Sequence, residues 1–146
     1  MGDFKELLVW QRARVLAVEA YRLSEAFPES ERFGLTSQVR RAASSIPANI
    51  AESTGRHTDR DQARLYQIAI ASSRELESHM LLAHDLGFIS PTDHGPLAVS
   101  LDQVQRMLMG LARYSRRAAA GRLGPEGRGS RAKVDGPAAK VDGPEA

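Results

Sequence analysis

The chain has 146 residues, 42% hydrophobic, 26% charged and 5% aromatic, with a formal net charge of +2. That length supports one domain with a real core, and the absence of cysteine excludes a disulfide scaffold, a cysteine zinc site and thiol catalysis. The longest strongly apolar runs, Leu7 to Trp10 and Ile68 to Ala71, span four residues, against the ~20 of a transmembrane helix. No secretory hydrophobic region follows Met1, and Glu6 stands where N-myristoylation needs Ser or Thr, so a soluble cytoplasmic protein with no membrane partner is expected.

In chain order, the first helix is marked by Val9, Ala13, Leu16, Ala20, Leu23 and Phe27 at four-three spacing, with Pro28 as its stop. It carries a second apolar set, Phe4, Leu7, Leu8, Val15 and Val18, among Gln11, Arg12, Glu19 and Arg22. A helix apolar on two faces expects a partner or a second subunit on the outer one, and these five residues are the expected oligomer interface. The second helix follows Leu35, Val39, Ala42 or Ala43, Ile46 and Ile50, and ends at Gly55. Pro47 inside it costs ~3 kcal/mol in a regular helix, so a kink is expected, with the Ser44 and Ser45 hydroxyls serving the freed backbone groups. Asn49 is expected as a buried amide that fixes register or closes the Pro47 gap.

The third helix follows Leu65, Ala69, Ser72, Leu76, His79 or Met80, Ala83 and Leu86, opened by Thr58 with Asp61 and closed by Gly87. The fourth follows Leu97, Leu101, Val104, Leu108, Leu111 and Ser115 behind a Ser90-Pro91-Asp93 cap, with Gly95-Pro96 expected to delay the regular helix to Pro96. From Gly121 the chain turns to Gly, Pro, Ala and charge. Ala132 to Ala138 and Ala139 to Glu145 are two copies of a seven-residue repeat. Gly-Pro in each copy forbids a continuous helix, so residues 121–146 are expected to be a disordered tail. Strand alternation and hairpin turns are absent. The reading is all-α: an antiparallel up-down-up-down four-helix bundle over residues 1–120.

The second segment, Gly34-Leu35-Thr36-Ser37-Gln38-Val39-Arg40-Arg41-Ala42-Ala43 running into Ser45-Ile46-Pro47-Ala48-Asn49-Ile50-Ala51-Glu52, is distinctive. With Leu7-Leu8-Val9-Trp10-Gln11-Arg12-Ala13 before it and Leu86-Gly87-Phe88-Ile89 after it, the chain resembles the four-helix-bundle family of 23S rRNA intervening-sequence proteins over about residues 3–120. It departs at Ser53, where the family often has glycine. The resemblance implies a homopentamer. It also implies kinship with the accessory variability protein of diversity-generating retroelements, a pentameric barrel that binds a reverse transcriptase and nucleic acid. It supplies architecture more than activity.

Chemistry in the residues is sparse. A di-metal bundle site needs Glu-x-x-His, which does not occur; Glu75 and His79, four apart, read as a polar pair. No Gly-x-Ser-x-Gly elbow or phosphate-cradling glycine loop is present, so neither an enzyme nor a cofactor is expected. Arginine supplies seventeen of the twenty basic residues. Arg40 and Arg41 lie mid-helix, Arg56, Arg60 and Arg64 border the turn into the third helix, and Arg113, Arg116 and Arg117 crowd the end of the fourth. Repeated around an oligomer, these become a ring of positive potential, and all eight are candidate contacts for nucleic acid or a partner. With most aromatics given to the core, shape and phosphate recognition of structured RNA fits better than base stacking. The expected function is a non-enzymatic oligomeric adaptor for structured RNA or a reverse transcriptase. The alternative is a structural oligomer whose arginines form salt bridges.

Overall fold

The computed structural model describes residues 2–122. Four helices follow in order: α1 (Leu8–Ser24), α2 (Leu35–Ser53), α3 (Asp59–Asp85) and α4 (Pro91–Arg122), with single 3-10 turns at Phe4–Glu6 and Glu29–Glu31. No strand occurs among the described residues. Each helix packs on the next and α4 returns to α1, while the backbones of the diagonal pairs α1–α3 and α2–α4 stay farther apart. Short connections and this closed order make an up-down-up-down bundle. The α1–α4 seam is the thinnest of the four.

The four-three rows become the core. Leu16, Val39, Ile46, Ile50, Leu76, Met80, Leu97, Val104 and Leu108 are fully buried. Each such side chain contributes roughly 1.5–3 kcal/mol relative to exposure, which is what drives the helices together. Thr58 accepts from the Asp61 amide at the start of α3, and Gly87, at φ +80°, takes the left-handed turn after it.

Three local expectations change. Helix α4 begins at Pro91 and runs through Gly95-Pro96, because Ser90 holds its first turn: Ser90 Oγ accepts from the Asp93 amide and the Ser90 carbonyl from the His94 amide. Thr92, whose carbonyl loses its partner at Pro96, is exposed to solvent. Around Pro47, α2 is continuous. The neighbouring serines serve other groups, Ser44 Oγ donating to the Arg41 carbonyl and Ser45 Oγ meeting Ser72 Oγ of α3 at 2.8 Å. Asn49 is half-buried and donates to both the Ser45 carbonyl and the Ser45 hydroxyl, which places it in this α2–α3 polar bridge. Finally, α4 carries past residue 120 to Arg122. The repeat and the rest of the expected tail, from residue 123 on, lie outside the described residues.

Candidate nucleic-acid interface

The α2–α3 turn and the antiparallel run of α4 bring three chain segments to one end of the bundle. There α2 stops at Ser53, α3 starts with Arg60 and Arg64, and α4 finishes with Arg113, Arg116 and Arg117. A groove of about 410 Å³ between α3 and α4 is lined by Arg60, Asp61, Ala63, Arg64 and Gln67 of α3 and by Arg116 and Ala119 of α4. Arg113 and Arg117 stand exposed on the same stretch of α4. Among the described residues, none of these five arginines forms an ion pair or a side-chain hydrogen bond. Asp59 and Asp61 fill the first turn of α3 and already complement its dipole, so pull on an anion comes from the guanidinium groups. Arginine forks exposed without counter-ions suit phosphate oxygens, which they can bind in pairs.

Sequence reasoning missed Tyr114. The residue is 73% exposed in the middle of the α4 arginines. The available signal was helix phase: Val104, Leu108, Ala112 and Ser115 are buried, and Tyr114 falls off that row. Phe33, 88% exposed between Arg32 and Gly34, is likewise free of core duty.

The remaining three candidate arginines are held by partners within the chain. Half-buried Arg40 donates from Nε to Ser24 Oγ at 2.9 Å, reaches the Tyr21 carbonyl at 3.5 Å and lies 5.1 Å from the Tyr21 ring centroid. The antiparallel run of α1 and α2 puts the end of α1 beside it. Arg41 crosses to Glu75 of α3 at 3.2 Å and also donates to Gln38. Arg56 pairs with Glu52 one turn back. Of the eight arginines, the groove therefore gathers Arg60, Arg64 and Arg116, with Arg113 and Arg117 beside it.

The five expected interface residues divide as well. Phe4 packs edge-on against Trp10 at 5.0 Å and Leu7 against the core, both half-buried. Leu8, Val15 and Val18 stay exposed, Val15 at 62%. Glu75 and His79 form the expected pair at 3.4 Å. Among the described residues no group of three or more His, Asp or Glu could hold a metal ion.

Fold and surface define an all-helical bundle with a basic end and an uncovered apolar ridge. The family model of the 23S rRNA-intervening sequence protein matches residues 5–110, most of the chain, and the chain belongs to that family. Among solved structures it is similar to a protein of unknown function from the S23 ribosomal protein family of Bacteroides thetaiotaomicron VPI-5482. The two share 21% identity over 72% of this chain and 98% of that one, with a TM-score of 0.68, a likeness that shows the fold. No curated protein matches.

Proposed function

We propose that this protein is a non-enzymatic homo-oligomeric adaptor that binds structured RNA through phosphate contacts at the arginine end of the bundle. The observation that carries this reading is the gathering of Arg60, Arg64, Arg113, Arg116 and Arg117 without ion pairs among the described residues. Solvated arginines cost little by themselves; five at one end raise a local potential that attracts a polyanion. Leu8, Val15 and Val18, with Phe4 and Leu7 at the margin, form the contact between copies, and a pentamer is the assembly that the resemblance implies. Repetition around such a ring multiplies modest contacts into useful affinity. The reading sets the protein in the cytoplasm; no described helix is long and apolar enough to cross a membrane. A nucleic-acid enzyme such as a reverse transcriptase is the second partner on this reading, held beside the RNA.

The alternative, a structural oligomer without nucleic acid, draws support from Arg40, Arg41 and Arg56, which are tied inside the subunit. Fluorescence anisotropy of a labelled rRNA hairpin, in low salt and near physiological salt, separates the two. Submicromolar binding that weakens steeply with salt supports the adaptor, and absence of binding in low salt leaves the structural oligomer.

A further inference from the structure

Helix α4 carries a glycine that packing among the described residues does not explain. Gly110 lies in the interior of this 32-residue helix and is exposed. After proline, glycine is the least favourable residue in a helix interior, and one of its uses is to let another backbone or a ligand come close. A Cβ at Gly110 would meet no atom within 4 Å beyond its own stretch of helix backbone, so a larger residue would fit there. Buried Val104, Leu108, Ala112 and Ser115 put Gly110 on the outer face of α4. Arg113, Tyr114 and Arg117, three, four and seven residues on, share that face and are all exposed. Helical side chains lean toward the N-terminus, so Arg113 and Tyr114 flank the turn that Gly110 leaves bare. On the neighbouring helix, Arg74 is exposed and forms no ion pair among the described residues. The bond from Gln105 to Glu77 sets the antiparallel register and brings Arg74 level with Leu108, half a turn from Gly110. The unpaired stretch of α4 ends at Arg106, which meets Asp102 at 2.9 Å.

We infer that Gly110 is where the sugar–phosphate backbone of an RNA stem lies directly against α4, held by Arg113 and Arg117 and by Arg74 across the α3–α4 face. This rests on the RNA reading above and extends the arginine end down the shaft of α4. At 1.5 Å per residue, Gly110 to Arg117 adds about 10 Å of contact. The bare turn lets a strand descend between Arg113 and Tyr114, so that guanidinium and ring meet it from the sides. From Gly110 to Arg122 the helix has no carboxylate, which favours a polyanion over a second copy of the chain as the occupant. The stem is met from its minor-groove side. The major groove of A-form RNA is too deep and narrow for side chains, whereas its minor groove is wide and shallow and displays the 2′-hydroxyls. A helix face lowered by glycine matches that shallow surface.

Full-length Gly110→Ala, Gly110→Leu and Val99→Leu chains test this against a labelled rRNA hairpin by fluorescence anisotropy, with thermal melting and sedimentation velocity in parallel. Gly110→Ala is expected to raise the melting temperature by about 2–5 °C and yet to bind RNA about threefold more weakly. Gly110→Leu should fold like the parent and bind about tenfold more weakly. Val99, exposed on the same outer face but beyond the Arg106–Asp102 pair, is the control, and its change should leave binding within about twofold. Stability and affinity moving in opposite directions is a result that a purely structural glycine does not give. Parent-like affinity in both Gly110 variants overturns the inference and leaves the RNA reading standing. Equal weakening by Val99→Leu overturns it as well, and so does an altered sedimentation coefficient in Gly110→Leu, which would give the position to a contact between copies. A parent chain that fails to bind the hairpin in low salt removes the RNA reading and the inference together. A DNA hairpin of the same sequence has a minor groove only about 6 Å wide, too narrow for a helix, so Gly110→Leu should not weaken its binding further. Equal losses on RNA and DNA overturn the minor-groove placement.

Discussion

Arg40 at the waist of α2 and Arg116 near the end of α4 carry the same side chain and do different work. The first is half-buried, bonded to Ser24 and stacked on Tyr21, so its charge serves the α1–α2 seam. The second lines the α3–α4 groove and forms no ion pair among the described residues. Arg41, bridged to Glu75, sides with the waist; Arg60, Arg64, Arg113 and Arg117 side with the end. The difference lies in the neighbours. Where two antiparallel helices put a hydroxyl or carboxylate opposite an arginine, the charge is taken up in packing. Past the reach of those partners it is left for a ligand.

Four variants probe that division. The largest effect is expected from replacing Arg113, Arg116 and Arg117 together with glutamine. Losing three phosphate contacts should weaken hairpin binding roughly 10- to 100-fold in moderate salt, while the melting temperature stays put. A triple variant that bound as tightly as the parent would move the site elsewhere. Next, Arg40→Gln strips Ser24 and Tyr21 of their partner, and chemical denaturation should show a loss of about 1–2 kcal/mol with RNA affinity unchanged within twofold. Tyr114→Ala should lose about 1 kcal/mol of binding to a hairpin with unpaired loop bases and nothing to a blunt duplex; equal loss on both would rule out stacking. Smallest is Arg41→Gln. Its partner Glu75 is exposed and shared with His79, so stability should fall by less than ~1 kcal/mol.

Much of the bundle is legible in the sequence because apolar spacing maps directly onto burial: Val9, Ala13, Leu16 and Ala20 on α1 and Leu97, Leu101, Val104 and Leu108 on α4 are all buried. Proline positions read less well. Pro96 looks like a barrier, yet Ser90 caps the turn ahead of it, and Thr92, whose carbonyl the proline cannot serve, is an exposed residue. The site is harder still. Spacing shows where arginines cluster, but whether each is tied depends on what a neighbouring helix places opposite: Ser24 against Arg40 is sixteen residues away in sequence and Glu75 against Arg41 thirty-four. Local sequence holds no such information. Arg56 is the exception, since Glu52 one turn earlier is a readable i, i+4 partner. Tyr114 shows the converse: most aromatics are expected in the core, but its helical phase points outward.

The most direct measurement is the slope of log Kd against log salt for a labelled rRNA hairpin. It should be taken for the parent chain, an Arg40→Gln/Arg41→Gln variant and the Arg113/Arg116/Arg117 glutamine variant. Each phosphate contact contributes close to one unit of slope. The account predicts a parent slope kept by the waist variant and reduced by about three in the end variant. Equal slopes in all three chains, or a loss confined to the waist variant, would contradict the assignment of nucleic-acid binding to the arginine end.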